Sequence, residues 1–303
     1  MLLSIVIPCY NEEEVIQTTI NTLLEVFDKN LKDDKYELIF VNDGSKDKTL
    51  EILKENASKK ENIKIVSFSR NFGHQKALRA GLDHTKGDAI AIIDADLQDP
   101  PEIILEMLEK WKEGYEIIYG QRKSREGETF FKKQTSKWFY RIINTLSEIQ
   151  MPLDTGEFRL VDRKVLDVIK SMPEQQKYLR GSFSWVGFKT IPVYFERKAR
   201  QAGETKYNLK AMIKLASDGI FTFSNKPLKF PLLIGVLILL ISSIGLLFSL
   251  FTLNIENIKY FSLLFILGLS FMSNFITNKY VENISDNVKE RPQYIVDELI
   301  NFK

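Results

Sequence analysis

The first 120 residues alternate short apolar runs with stretches in which apolar positions recur at helical spacing. The apolar runs predict strands over residues 2–8, 36–43, 62–69, 87–94 and 115–120. The intervening spacing predicts helices over residues 11–27, 74–84 and 102–111, and Ser45 and Asp47 can cap a further helix after the second strand. Because each strand is apolar almost throughout, the pattern indicates an α/β fold with a mostly parallel sheet covered by helices on both faces.

The pattern changes near residue 230. Leu232 to Leu253 and Tyr260 to Ile276 contain no charged residue, and six residues separate them. Both stretches approach the length that crosses a hydrocarbon core, so they predict a hairpin of two transmembrane helices, with a buried core hairpin as the alternative. Lys226 and Lys229 precede the first span and Lys279 follows the second, which predicts that both termini face the cytoplasm.

The chain is therefore expected to have four parts and to reside in the cell membrane as a multi-pass protein. These are a cytoplasmic α/β domain over 1–208, an amphipathic juxtamembrane helix over 209–230, the two spans within 231–278, and a cytoplasmic tail over 279–303. The juxtamembrane helix can equally pack against the sheet domain. A formal net charge of +2 is too small to favour nucleic-acid binding, and Cys9, the single cysteine, excludes an intrachain disulfide.

Carboxylates cluster where the fourth predicted strand ends, in the sequence AIIDADLQDPPE. Ligands bind beyond the carboxyl ends of parallel strands, and two carboxylates spaced as Asp94 and Asp96 suit Mg²⁺ or Mn²⁺, with substrate phosphates completing the coordination. Such a metal neutralises the charge of a departing diphosphate. Asp99 is instead expected to begin the next helix. The chain has no G-x-G turn and no P-loop, and its two histidines and one cysteine argue against a zinc site.

Seven motifs in order along the chain resemble the family-2 glycosyltransferases of GT-A fold. Among these, they resemble the polyprenyl-phosphate sugar transferases of the bactoprenol and dolichyl-phosphate type. The motifs are PCYNEEE, VNDGSKDKT, SRNFGHQKALRAG, DADLQDPPE, GQR, DTGEFRL and RQAGETKY. The resemblance covers essentially the whole chain, including the predicted hairpin. It implies a Rossmann-like GT-A domain followed by the two transmembrane helices.

The resemblance also implies roles for individual residues. The nucleoside pocket would be formed by Pro8, Tyr10, Glu12 and Asp43, and the metal and diphosphate group by Asp94, Asp96 and Gln98. Phosphates of the donor or of the lipid acceptor would contact Arg122, Arg200 and Lys206. Relatives commonly carry Asp where this chain has Glu157, so the catalytic carboxylate expected there is one methylene longer. His74 begins a predicted helix, where capping or packing is the more common role.

These features predict an inverting, metal-dependent glycosyltransferase. It would move one sugar, with UDP-glucose as the leading donor, to polyprenyl (undecaprenyl) phosphate at the cytoplasmic face of the bilayer. UDP-GlcNAc, UDP-galactose and GDP-mannose stay open as donors, and so does the oligomeric state, a homo-oligomer included. The alternatives are a transferase with another acceptor, such as a polysaccharide or glycolipid synthase, and a non-catalytic membrane adaptor that senses nucleotide sugars.

Overall fold

Helices cover both faces of a mixed sheet in the computed structural model, which describes residues 1–31, 34–122, 155–172, 179–196, 255–289 and 291–302. The described strands are β1 (Leu2–Cys9), β2 (Lys35–Asn42), β3 (Ile63–Phe68), β4 (Ala89–Ile92), β5 (Ile117–Arg122), β6 (Thr155–Asp162), β7 (Thr190–Phe195) and β8 (Val296–Ile300). The described helices are α1 (Ile16–Asn30), α2 (Thr49–Lys59), α3 (His74–Asp83), α4 (Ile103–Lys112), α5 (Arg163–Ser171), α6 (Leu179–Trp185) and α7 (Ile255–Val288).

The eight strands lie in the order β7-β5-β6-β4-β1-β2-β3-β8. The neighbours β4, β1, β2 and β3 run parallel to one another, as the continuous apolar runs predict. The sheet is mixed because β6 runs antiparallel to both β4 and β5, and β8 runs antiparallel to β3. The predicted α/β class with a mainly parallel sheet is confirmed, with these two reversed strands added.

Residues of the central strands alternate between two apolar cores, one on each face. On β1, Ile5 and Ile7 pack with residues of α1, α2 and α4, whereas Val6 packs with residues of α3, α5 and α6. Gly81 of α3 allows the closest approach, because a Cβ there would lie 2.2 Å from a methyl carbon of Val6. Burial on both faces explains why these strands are apolar throughout, and it holds their carboxyl ends in fixed positions.

Three strands differ from the sequence prediction. The strands β6, β7 and β8 come from stretches for which the apolar pattern predicts no strand. The predicted tail over 279–303 contains both the end of α7 and strand β8, which is part of the sheet. The described residues divide into two compact units. The first contains all eight strands and helices α1 to α6, and α7 belongs to the second.

The predicted membrane hairpin is not confirmed. Its second span lies within α7, a helix of 34 residues, and its first span lies outside the described residues. Among the helices that the structure describes, none is both long and apolar enough to cross a membrane. The juxtamembrane helix predicted over 209–230 also lies outside the described residues. The hairpin and the membrane localisation therefore stay predictions.

Candidate active site

The loops that follow β1 and β2 are hydrogen-bonded to each other at the carboxyl end of the sheet. The backbone N–H of Asn11 donates to Oγ of Ser45 at 3.0 Å, and the N–H of Lys46 donates to the Asn11 side chain at 2.8 Å. The N–H of Glu12 donates to Oγ1 of Thr49 at 2.8 Å. Ser45 thus holds the neighbouring loop instead of capping α2. These contacts fix the backbone beside Tyr10 and Glu12, whose side chains are partly exposed.

Asp43 is the most enclosed carboxylate of this edge. Its Oδ1 accepts a hydrogen bond from the N–H of Phe72 at 2.7 Å, and its Oδ2 accepts from the N–H of Gly73 at 2.9 Å and from Nδ2 of Asn71 at 3.0 Å. Burial raises the pKa of Asp43 more than the N–H groups of Phe72 and Gly73 and the nearby charges of His74 and Lys76 lower it. The next residue, Gly44, has φ +62, and a Cβ there would lie 2.4 Å from the carbonyl carbon of Arg70. Glycine is therefore required where the β2 loop meets the segment before α3.

The acidic loop after β4 alternates buried and accessible side chains. Asp94, Asp96 and Gln98 are partly exposed, whereas the side chains between and after them are buried. Leu97 has φ +52, a left-handed conformation that is costly for a side chain of this kind and that recurs at functional sites. Oδ1 of Asp96 accepts from the N–H of Gln98 at 3.2 Å. The loop thus leaves two carboxylates and one amide partly accessible to solvent.

The carboxylate pair suits a divalent cation that also binds a ligand's phosphates. Oxygen donors are the ligands that Mg²⁺ and Mn²⁺ prefer, and one or two carboxylates are the usual protein share. Within the described part of the chain, no group of three or more His, Cys, Asp or Glu side chains is placed to hold a metal by itself. Asp94, Asp96 and Gln98 offer two carboxylates and one amide, a donor set that suits such a cation when other ligands complete its coordination.

His74 contacts the acidic loop directly, which differs from the capping or packing role expected of it. Its Nε2 lies 3.1 Å from Oδ1 of Asp94, and Gly73 occupies the N-cap position of α3. Desolvation opposes the charged imidazole, but the hydrogen bond to Asp94 and the charges of Asp94 and Glu157 outweigh it and raise the pKa of His74. The first turn of α3 is thereby linked to the loop after β4.

Glu157 lies on β6, buried among cationic and amide side chains. Its Oε1 accepts from Nη2 of Arg180 at 2.9 Å and from Nε2 of Gln75 at 3.1 Å, and its Oε2 lies 3.6 Å from Nη2 of Arg159. Burial by itself would raise the pKa of Glu157, but the two guanidinium groups, His74 and the Gln75 hydrogen bond together lower it. Glu157 is therefore an ionised, paired carboxylate at neutral pH.

Sequence reasoning missed three members of this group, namely Gln75, Arg159 and Arg180. Arg159 gave one usable signal, because it lies two residues from Glu157 and so faces the same side of the strand. A buried carboxylate on a strand requires such a partner. Gln75 and Arg180 come from α3 and α6, and the sequence pattern does not reveal that these helices meet at Glu157.

The other predicted site residues are only partly brought together. Arg122 ends β5 with its Nη2 3.9 Å from Oδ1 of Asp99, beside the acidic loop. Asp99 is buried and does not cap α4, because the N-cap position of that helix is Glu102. Pro8 is buried within β1, opposite Val41. Arg200 and Lys206 lie outside the described residues.

An α/β sheet that gathers acidic loops at the carboxyl ends of its parallel strands has the architecture of GT-A-like glycosyltransferases. Comparison with known proteins agrees with this class, since the family model described as Glycosyl transferase family 2 matches residues 4–170. The chain belongs to this family and is a glycosyltransferase.

Similar proteins cover nearly its whole length. The uncharacterised glycosyltransferase YkcC of Bacillus subtilis (strain 168) is 50% identical over 97% of this chain and 92% of the relative. The prophage bactoprenol glucosyl transferase homolog of Escherichia coli (strain K12) is 38% identical over 98% of each chain. The bactoprenol glucosyl transferase of Shigella phage SfII is 37% identical over 98% of this chain and 97% of the relative.

The fold is also shared with a solved enzyme. The crystal structure of glucosyl-3-phosphoglycerate synthase from Mycobacterium tuberculosis, in complex with Mn²⁺, UDP and glucosyl-3-phosphoglycerate, has a TM-score of 0.54. It is 20% identical, and the alignment covers 73% of this chain and 78% of that one. At this identity the similarity concerns the fold alone.

Proposed function

We propose that this glycosyltransferase moves one glucose from UDP-glucose to a polyprenyl phosphate such as undecaprenyl phosphate, at the cytoplasmic face of the membrane. The observation that carries the proposal is similarity over nearly the full chain to proteins named bactoprenol glucosyl transferases, at 37–38% identity. This similarity extends beyond the family model, which ends at residue 170, and so includes the part of the chain that follows it.

The donor would bind across the carboxyl ends of β1, β2 and β4. Tyr10, Glu12 and Asp43 are the residues we assign to the nucleoside, with Pro8 shaping the strand beneath them. The loops after β1 and β2, which are hydrogen-bonded to each other, support this assignment. They give a rigid surface against which a base and a ribose can be ordered.

Asp94, Asp96 and Gln98 would hold Mg²⁺ or Mn²⁺. When bound, such a cation neutralises negative charge on the departing diphosphate. The contact of His74 with Asp94 would help to orient that carboxylate for the cation. Arg122, together with Arg200 and Lys206, is assigned to phosphate oxygens of the donor or the acceptor, for which a guanidinium fork is suited.

In the reaction, an oxygen of the acceptor phosphate would form a bond to the anomeric carbon while the bond to the diphosphate breaks, with inversion at that carbon. A phosphate monoester has a second pKa near 6 and is largely dianionic at neutral pH, so it needs little assistance from a base. We therefore assign Glu157 to positioning: it holds the side chains of Arg180 and Gln75 in place.

The acceptor's chain is dissolved in lipid, so the enzyme must work at the bilayer surface. The uncharged stretches Leu232 to Leu253 and Tyr260 to Ile276 support a membrane hairpin, and the flanking lysines support cytoplasmic termini. Anchoring would confine enzyme and lipid to one surface and so raise their effective concentration.

Radiolabelled nucleotide sugars test the proposal. The full-length enzyme is incubated in membranes with undecaprenyl phosphate and, in turn, UDP-glucose, UDP-GlcNAc, UDP-galactose and GDP-mannose. The expected result is label in an organic-extractable lipid, most rapidly from UDP-glucose and absent when undecaprenol without its phosphate is supplied. Label that accumulates in a polymer or in another glycolipid would contradict the acceptor, and a faster rate with another nucleotide sugar would contradict the donor.

A further inference from the structure

The segment that follows α7 returns to the first unit and adds an edge strand to its sheet. Strand β8 pairs antiparallel with β3, from Ile65 opposite Ile300 to Phe68 opposite Val296, with an irregularity between Ser67 and Phe68. Beyond the last pair, the N–H of Ser69 donates to the carbonyl oxygen of Ile295 at 3.2 Å. The pairing therefore continues to the carboxyl end of β3, where the chain leaves the sheet for α3.

The other end of this segment is also fixed. Nδ2 of Asn301 donates to the carbonyl oxygens of Ala57 and Ile63, each at 2.8 Å, which ties the end of α2 to the start of β3. Asn301 has φ +62, a conformation that asparagine tolerates better than most residues. With both ends held, the segment over 294–301 is a defined part of the sheet.

Tyr294 connects this segment to the carboxyl end of β3 and the loop that follows it. Its ring stacks on Phe68, with centroids 5.1 Å apart and an interplanar angle of 16°, and Phe68 in turn meets the edge of Phe72 at 5.6 Å. The Tyr294 hydroxyl donates to Oδ2 of Asp83 at 3.0 Å, the same oxygen that accepts from Nε of Arg79. The aromatic series therefore packs under the segment that connects β3 to α3.

That connecting segment, residues 69–73, supplies the donors that hold Asp43. Its N–H groups at Phe72 and Gly73 and its Asn71 side chain all bond to the Asp43 carboxylate. We propose that Tyr294 is a positioning residue for donor binding: through Phe68 and Phe72 it fixes the segment that orients Asp43. The inference rests on the proposed function, in which Asp43 binds the donor nucleoside.

A purely protective role for β8 would not require these contacts. Covering the exposed edge of β3 explains the strand pairing, because an uncovered edge strand invites pairing with other chains. It does not explain why Tyr294 lies beyond the last pair, stacked on the residue that leads into the Asp43 donors. Loops over a rigid scaffold carry binding groups and open more easily than the sheet, so packing beneath such a loop sets how well its donors are placed.

Three variants of the full-length chain test this role. Tyr294→Ala removes the ring and the hydroxyl, and Tyr294→Phe keeps the ring but loses the hydrogen bond to Asp83. Ile295→Ala is the matched control, since that side chain is 54% exposed and the contact of Ile295 with Ser69 is made by its backbone. The measurements are the Kd for UDP in the presence of Mn²⁺, the donor and acceptor KM values, kcat and the melting temperature.

We expect Tyr294→Ala to raise the Kd for UDP and the donor KM about tenfold, a difference of about 1.4 kcal/mol. The acceptor KM and kcat at saturating donor should stay within about twofold of wild type. Tyr294→Phe should restore most of the affinity, because the aromatic series is intact, and Ile295→Ala should resemble wild type. A role in stability alone would lower the melting temperature of Tyr294→Ala and leave the donor KM unchanged at temperatures well below it.

If Tyr294→Ala does not fold, Tyr294→Leu retains apolar bulk and is expected to raise the donor KM at least about threefold. If wild-type protein binds UDP and every folded Tyr294 variant binds it equally well, this inference is wrong and the proposed function is unaffected. Wild-type protein that binds no nucleoside diphosphate and uses no nucleotide sugar would overturn the proposed function, and this inference with it.

Discussion

Replacing Glu157 by Gln separates a positioning carboxylate from a general base. The carboxylate bonds to Arg180 and Gln75 and lies 3.6 Å from Arg159, and its pKa is lowered mainly because the two guanidiniums outweigh its burial. A base at this position would take a proton from a phosphate whose second pKa is about 6. With a carboxyl pKa below its ordinary value of about 4.3, that transfer is uphill by more than about 2 kcal/mol.

The structure also sets the expected loss of stability. The side chains of Arg180 and Arg159 are only 17% and 4% exposed, so neutralising Glu157 removes an anion that pairs with two largely buried cations. Removing one partner of a buried pair costs about 3–5 kcal/mol, and glutamine recovers part of this because it keeps the size and one acceptor oxygen. We expect a loss of about 2–4 kcal/mol and a fall in melting temperature of roughly 5–10 °C.

Glu157→Gln should lower kcat only modestly. At a temperature where the variant is folded, Glu157→Gln should retain at least about a tenth of wild-type kcat, because the acceptor is already ionised. Loss of a true general base costs about 10²- to 10⁴-fold. Glu116→Gln is the matched control: Glu116 also forms an ion pair, with Lys164, but lies at the opposite end of the β5–β6 pair. Its effect on stability should be about 1 kcal/mol or less.

The pH dependence gives an independent check. A carboxyl whose folded pKa is lowered adds stability that is fully present above its unfolded pKa and is lost as the pH falls through the folded value. The stability difference between wild type and Glu157→Gln should therefore be constant near neutral pH and shrink below about pH 4.3. Inactivation of Glu157→Gln by more than about a thousandfold, with normal acceptor KM and normal stability, would refute the positioning role.

Two further substitutions test the acidic loop and the Asp43 turn. Asp96→Asn should lower kcat at least about a hundredfold with an unchanged melting temperature, and excess EDTA should do the same to wild type; normal transfer in either experiment would contradict the metal assignment. Gly44→Ala should destabilise the fold by about 2–4 kcal/mol, since it combines φ +62 with a Cβ 2.4 Å from backbone. Gly187→Ala has a similar φ of +70 and nothing within 4 Å, so it should cost only about 1 kcal/mol, and equal effects in a thermal melt would contradict the predicted clash.

The sequence predicted the central part of the fold because its signal there is strong. Strands β1 to β4 are buried on both faces, which produces the continuous apolar runs, and the positions of Asp43 and Asp94 at strand ends follow from those runs. Strand β6 was missed because it carries Glu157 and Arg159, whose charges hide its strand pattern until their pairing is seen. Strand β8 was missed because it is short, half-exposed and paired with a strand more than 200 residues earlier.

The residues of the candidate site could also be predicted only in part. Residues at the ends of predicted strands could be identified from the sequence, because parallel strands bring their carboxyl ends to one edge. Gln75 and Arg180 could not, since their proximity to Glu157 depends on how α3 and α6 pack against β6. The same holds for His74, which is 20 residues from Asp94 and reaches it only because α3 begins at the same edge as the acidic loop.

The return of the chain to the sheet constrains how it can meet a membrane. Strands β7 and β8 belong to one sheet, so the residues between them begin and end on the same side of any bilayer. The number of crossings between them must therefore be even, which is compatible with the proposed hairpin and excludes a single span.

Truncation cannot test that hairpin cleanly. A chain ending at Phe230 also lacks β8 and Tyr294, so weaker nucleotide binding after truncation would report the lost edge strand and not the lost anchor. Comparing bilayer-embedded with short, water-soluble prenyl phosphates on the full-length enzyme avoids this ambiguity, because the sheet stays complete in both assays.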